Sequence, residues 1–325
     1  MQKLENMISD KNNQKPKIVV IGGGTGVFTV LSGLRNFPVD LAAVVSMADD
    51  GGSSGVLREE FGILPPGDVR RVLVALARSD DRVLSDLFNY RFDQGGLRGH
   101  NFGNIMLTAL ERICGSFTEA VKEAARILGV QGQVLPVTVD NVRLCAELEN
   151  KTIVRGETNI DIPRHDASLK IKRVFLEPKA RVNKEAKQVI LDANLIVLGP
   201  GDLYTSVIPN LLVGGVAEAI RKSRAKKVYV INLMTKWGET NGFRARDFVG
   251  ILEKYIGKEV LNFAVINTKK PSVDRLQHYE KESAEFVEVD GLSSRPIPIF
   301  GDFLRHRGFV RHDPEKLAKV LISLL

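Results

Sequence analysis

The chain has 325 residues, of which 44% are hydrophobic and 26% charged, so it can bury a sizeable core without disulfide staples. That composition excludes collagen-like and disulfide-scaffold chains, and disorder over most of the length. The excess of 46 basic over 39 acidic residues, a formal charge of +7, is too diffuse to mark a nucleic-acid binder but favours polyanionic small molecules.

Residues 1–16 are polar and mixed in charge, without the apolar stretch of a signal peptide, and are expected to form a disordered tail. A β-branched strand over 17–21 stops at Gly22-Gly23-Gly24-Thr25-Gly26, and helical spacing resumes over 27–34. A second apolar strand, 41–47, ends in Ala48-Asp49-Asp50-Gly51-Gly52-Ser53-Ser54-Gly55. Helices follow over 69–78 with Asp68 as cap, from about Val83, over 101–114, and over 118–128 with Gly129 as the stop. Residues 17–132 thus form the first half of an α/β core with a helical segment.

From 133 to 183 the texture changes to strands over 134–139, 143–148, 151–156 and 169–176, an antiparallel β insertion. The second half of the core, 184–325, restores the α/β rhythm. A helix opens near Lys184, and strand 195–198 runs into Gly199-Pro200-Gly201-Asp202. Helices begin near Ser206 and over 211–223, with strands 228–233 and 262–267, a helix over 245–256 and a last helix from Pro314. Short apolar strands alternating with helices predict a mainly parallel sheet covered on both faces.

In such a sheet, ligands sit outside the carboxyl ends of the strands. Gly22 to Gly26 leave backbone N–H groups and a helix N-terminus facing an anion, and a diphosphate is the natural occupant. The glycines match the dinucleotide fingerprint imperfectly, with Val27 at the last position, and no lysine follows them as an ATP-cradling loop requires. Asp49 and Asp50 are placed to read a ribose or, as adjacent carboxylates that repel one another, to hold Mg²⁺, with Asp50 the candidate metal ligand. Ser53 and Ser54 can donate to phosphate oxygens; Gly51, Ser53 and Gly55 do not make a nucleophile elbow, because that serine must sit on the strand-to-helix turn itself.

His100, Asn101 and Asn104 gather polar groups at a helix mouth, with His100 able to polarise a leaving oxygen. Gly199, Pro200, Gly201 and Asp202, with Thr205 and Ser206, repeat the strand, glycine turn and helix arrangement. The strand end carrying Asn232 and Thr235 also holds the chain's one tryptophan, Trp237. Near the C-terminus Arg305, beside Asp302 and His306, is a candidate phosphate clamp. Cys114 and Cys145 lie in apolar runs without metal-ligand spacing and read as core thiols of a reducing compartment. No apolar run is long enough to span a membrane, and a cytoplasmic protein is expected.

Together these segments, with Phe102-Gly103, Leu203-Tyr204, Pro209-Asn210, Leu233-Met234 and Gly238-Glu239-Thr240, resemble the 2-phospho-L-lactate transferase-like (CofD-like) proteins, and within them the bacterial gluconeogenesis-factor branch. The resemblance implies a three-layer α/β/α Rossmann-like core. It implies two functions: a regulator that binds a nucleotide diphosphate and supports growth and cell shape on gluconeogenic carbon sources, or a Mg²⁺-dependent transferase moving a phospholactyl-type group from a GDP-linked donor to a deazaflavin alcohol. For the regulator, the implied ligands are UDP-sugars or a dinucleotide such as NAD. A third reading, an NAD-dependent dehydrogenase, is weakened by the incomplete glycine fingerprint. The partners expected are the small-molecule nucleotide, a regulatory protein and further copies of the chain in a homo-oligomer, with neither nucleic acid nor a membrane span.

Overall fold

The computed structural model describes residues 14–78, 82–291 and 295–325, so residues 1–13 of the expected tail lie outside the described residues. The first half runs β1 (Lys17–Gly22), α1 (Gly24–Leu34), β2 (Asp40–Val45), α2 (Gly52–Phe61), α3 (Gly67–Leu76), α4 (Arg82–Asn89), α5 (Phe102–Cys114), α6 (Phe117–Ile127) and β3 (Gln133–Pro136). Then come β4 (Arg143–Leu148), β5 (Ile153–Arg155), α7 (Glu157–Asp161) and β6 (Ile171–Glu177). The second half runs α8 (Lys184–Asp192), β7 (Leu195–Leu198), a single π turn (Leu203–Val207), α9 (Ile208–Leu212), α10 (Val216–Lys222) and β8 (Lys226–Val230). It continues through α11 (Ala245–Ile256), β9 (Phe263–Asn267), α12 (Val273–Glu280), β10 (Ile297–Gly301) and α13 (Pro314–Ser323).

Seven strands form one sheet in the order β10-β9-β8-β7-β1-β2-β3, with every neighbouring pair parallel. Every residue of β1 and β2 but the first is buried, as two-sided cover by helices requires. The chain builds outward from β1 through β2 to β3, then crosses to β7 and builds outward the other way. The switch point therefore lies between β1 and β7, where connections leave in opposite directions and open a crevice at the strand tips. A separate antiparallel sheet, β5-β4-β6, carries α7. This is the expected α/β fold with an antiparallel addition.

Several local expectations are corrected. Residues 133–136 were expected to open the antiparallel insertion, but they pair parallel with β2 as the sheet's edge strand. A short edge strand has the same alternating texture in either sheet, and only the preceding crossover decides its direction. The helix expected over 211–223 is broken between α9 and α10, where Gly215 adopts φ +101° and Gly214 donates its N–H to the Ala180 carbonyl. Helix α1 starts at Gly24, earlier than the apolar spacing suggests, because its first turn faces the crevice rather than the core. Asp68 is no cap, since Pro66 holds the N-cap position of α3. Helices α7 and α12 left no signal: α7 is a little over one turn, and α12 buries none of its residues fully, so it needs no apolar stripe.

Candidate functional site

The tips of β1 and β7 are tied together, with the Gly199 N–H donating to the Ile21 carbonyl at 3.0 Å. The two glycine turns meet so closely that a Cβ on Gly26 would overlap the Pro200 carbonyl oxygen. This is why the sequence spends glycine there: a side chain would force α1 away from the second turn. The crevice is a cleft of about 970 Å³, of the size that takes a nucleotide.

The cleft is lined by Gly23, by the first turn of α1 through Gly26, and by the first turn of α2, which brings Ser53 and Ser54. Both serines are buried, and both are held from behind. The Ser53 hydroxyl accepts the Asn101 N–H at 3.2 Å and lies 3.4 Å from His100 Nδ1, while the Asn104 side-chain amide donates to the Ser54 hydroxyl at 3.5 Å. Asn101 caps α5 by accepting the Asn104 N–H. His100 and Asn101 thus position Ser53 and do not line the cleft, whereas Asn104 does.

Arg70 lies behind this group, donating from Nε to Asn104 at 3.1 Å and from Nη1 to Asn89 at 2.7 Å. Burial, helped by Arg71 and Arg91, lowers its guanidinium to about 10. All three arginines reach the cleft, and none was singled out in the sequence.

Carboxylates face these cations. Asp49 accepts the Gly51 N–H at 3.0 Å and lines the cleft. Asp68 accepts the Gly24 N–H, sits 3.3 Å from Arg71, and is pushed up to about 7 by burial and by Asp49. One first-turn amide of α1 is therefore already matched to a carboxyl group, so an anion arriving there needs that group protonated or bridged by a cation. Glu157, at the start of α7, is raised to about 9, by burial first and then by Asp49, Asp161, Asp68 and Asp50. Asp50 itself turns away. Both its oxygens accept N–H groups at the N-terminus of α7, from Glu157 at 3.2 Å and Thr158 at 2.9 Å, and it does not line the cleft.

Past the second turn, Asn232 accepts the Gly201 N–H at 3.0 Å, fixing the loop on which Asp202 and Ser206 reach the cleft. Thr205 faces inward instead, donating to the buried Glu239 at 3.0 Å, which also accepts the Tyr204 N–H. Burial, Asp202 and Asp161 hold the Glu239 carboxyl well above the usual range, and burial raises Asp202 too. Asp161, Asp202 and Glu239 bring one oxygen each to within 4.8 Å of one another. Lys236, 3.0 Å from Asp161, supplies their counter-charge; burial alone would lower its ammonium, but Asp202 and Asp161 outweigh that and raise it. Thr235 lines the cleft with its hydroxyl accepting the Glu285 N–H. Gly22 and Gly199 stand behind the turns, and Arg305 lies outside the cleft, whose C-terminal wall is Phe309 to His312.

Neighbouring strand tips at a switch point, two glycine turns and a cationic floor share one polar cleft in a Rossmann-like α/β protein. The family model described as 2-phospho-L-lactate transferase CofD matches residues 18–300, and the chain belongs to that family. It is 42% identical over 319 residues to the gluconeogenesis factor of Bacillus subtilis, covering 96% of this chain and 99% of that protein. It is likewise 42% identical over 316 residues to the gluconeogenesis factor of Halalkalibacterium halodurans, covering 95% and 97%. A crystal structure of a UPF0052 family member from Bacillus halodurans superimposes with a TM-score of 0.89 at 41% identity, over 95% of this chain and 99% of that one. No helix among the described residues is long and apolar enough to cross a membrane.

Proposed function

We propose that this protein is a gluconeogenesis factor that works as a ligand-binding regulator. In this reading it binds a nucleotide diphosphate, a UDP-sugar or a dinucleotide, and supports growth and cell shape on gluconeogenic carbon sources. One observation carries the reading: glycine turns from two adjacent parallel strands wall a single cleft whose floor also holds two buried serines and three arginines. Backbone N–H groups and guanidinium groups are the donors a diphosphate takes. The relatives' names support the link to gluconeogenesis.

Calorimetry with UDP-N-acetylglucosamine, NAD and GDP tests it. At least one should bind at micromolar concentration or tighter, and Gly24→Val, which puts a branched side chain where φ is +59°, should weaken it by roughly tenfold or more. No heat with any of the three overturns the reading.

The carboxylates favour a second reading, a group transfer of the kind the family description names, assisted here by Mg²⁺. Asp49 and Asp68, with Glu157 beside them, are the oxygen donors that Mg²⁺ takes, and bound there it would offset their charge against that of a diphosphate. Asp50 is spent on α7 and does not serve. Product formation from a phospholactyl donor and a deazaflavin alcohol, lost in Asp68→Asn, would establish this reading over the regulator.

A further inference from the structure

The second glycine turn runs straight into the π turn at 203–207, which is wound more loosely than an α-helix. The Asp202 carbonyl accepts two N–H groups there, from Ser206 at 2.8 Å and Val207 at 3.0 Å. Such a turn lasts only where its surroundings compensate, which is why π turns gather at functional sites. Here two side chains compensate. Asn210 donates its amide to the Ser206 carbonyl at 2.9 Å and to the Val207 carbonyl at 3.4 Å. Glu239 holds the start of the turn: Oε2 accepts the Tyr204 N–H at 3.1 Å, and Oε1 stands 3.0 Å from the Thr205 hydroxyl.

Glu239 comes from another strand end, in the loop after β8, and is itself held there. The Glu239 and Thr240 N–H groups donate to the Lys236 carbonyl at 3.1 and 2.9 Å, and the Thr240 hydroxyl accepts the Lys236 N–H at 2.9 Å. The carboxyl group is therefore delivered to one place. It does not line the cleft, but Asp202 and Ser206, on either side of the two residues it holds, do. Around it stand Asp202 from the turn, Asp161 from α7, the Tyr204 phenol and Lys236 from its own loop. Three carboxyl groups thus share one ammonium. Were all three ionised, two uncompensated negative charges would lie beside the path of an incoming anion. Glu239 is the most buried of the three, so it is the one that keeps its proton.

We propose that Glu239 is the positioning residue of the second glycine turn: its carboxyl group, as a neutral acid, fixes the π turn so that Asp202 and Ser206 enter the cleft without setting a further charge against an arriving diphosphate. The proposal rests on the reading that a diphosphate occupies the cleft, and it adds a residue outside the cleft on which that binding depends. An amide of the same length should therefore serve in its place, whereas a shorter acid or an apolar chain of similar size should not.

Inorganic pyrophosphate, which carries neither base nor sugar, is the probe, titrated by calorimetry at about pH 7. Glu239→Gln keeps an acceptor for the Tyr204 N–H and a polar group beside Thr205, and should bind within about twofold of wild type. Glu239→Leu makes neither contact, and should weaken pyrophosphate by roughly tenfold or more while amide hydrogen exchange at 203–207 speeds up. Glu239→Asp is one methylene short of both contacts and should bind no better than the leucine variant. A role in packing alone would let leucine serve, and a need for negative charge would place aspartate above glutamine. Where Glu239→Leu does not fold, Thr205→Val, which gives up one of the two contacts, should weaken pyrophosphate severalfold instead. A loss of roughly tenfold in Glu239→Gln, or wild-type affinity in Glu239→Leu or Glu239→Asp, overturns the positioning role and leaves anion binding standing. Binding of UDP-N-acetylglucosamine, NAD or GDP without binding of pyrophosphate does the same, because the affinity then arises away from the turns. Absence of heat with pyrophosphate and with all three nucleotides overturns both.

Discussion

Glu157 shows how much of this site is set by charges that burial brings together. In the unfolded chain it is an ordinary glutamate, whereas in the fold it keeps its proton up to about 9 among Asp49, Asp161, Asp68 and Asp50. The folded state therefore binds more protons than the unfolded state between the unfolded value of 4.5 and about 9. Its contribution to stability is fully present below that interval and declines as pH rises through it, by at most about 1.4 kcal/mol per pH unit. Asp68, raised to about 7, acts with the same sign over a lower range. Urea melts of wild type and Glu157→Gln at about pH 5 and about pH 8 should show the variant losing less stability than wild type on going to the higher pH. Equal losses would mean that Glu157 is ionised in the fold. Neither Glu157 nor Asp68 was legible as a site residue, because a carboxylate's partners in the cleft come from segments far apart in the chain.

Among the elements, α7 is the piece that joins the small antiparallel sheet to the cleft. It is too short to be stable alone and is held by the burial of Ile160 in the core and by two polar tethers. Asp50 at the β2 tip accepts its first N–H groups, and Asp161 at its end pairs with Lys236 from the β8 side. The carboxylate at the helix N-terminus also meets the positive pole of the dipole. Asp50→Ala should cost about 1 kcal/mol of stability, speed amide hydrogen exchange in 157–161, and weaken the nucleotide severalfold without touching it. Unchanged exchange in that segment would show that the antiparallel sheet alone holds α7. The acidic pair after β2 was visible in the sequence, but its division of labour was not: adjacent residues on an extended segment point opposite ways, so Asp49 faces the cleft and Asp50 faces α7.

For the molecule as a whole, the cleft lies where the two halves of the sheet part, and a ligand there touches β1 and β2 loops, β7 and β8 loops, α7 and the C-terminal loop. Binding to this assembled surface and not to the unfolded chain must raise stability. If the proposed function holds for UDP-N-acetylglucosamine, a concentration about a hundred times its dissociation constant should stabilise the fold by about 2.7 kcal/mol, a rise in melting temperature of several degrees. A melting temperature unchanged by UDP-N-acetylglucosamine up to millimolar concentration would mean that it does not bind the folded chain, and would count against the proposed function.

The glycine turns at 22–26 and 199–202, the buried strands before them and the parallel sheet were readable from sequence, because each is dictated locally: β-branched runs make strands, and only glycine allows two backbones to approach as Gly26 and Pro200 do. Tertiary structure alone decided which tips are neighbours, that 133–136 belongs to the main sheet, and that Arg70, Asp68, Glu157 and Phe309 face one cavity. Those facts depend on crossover connections and on the summed electrostatics of residues as far apart in the chain as Asp49 and Glu157, and no local pattern of side chains encodes either.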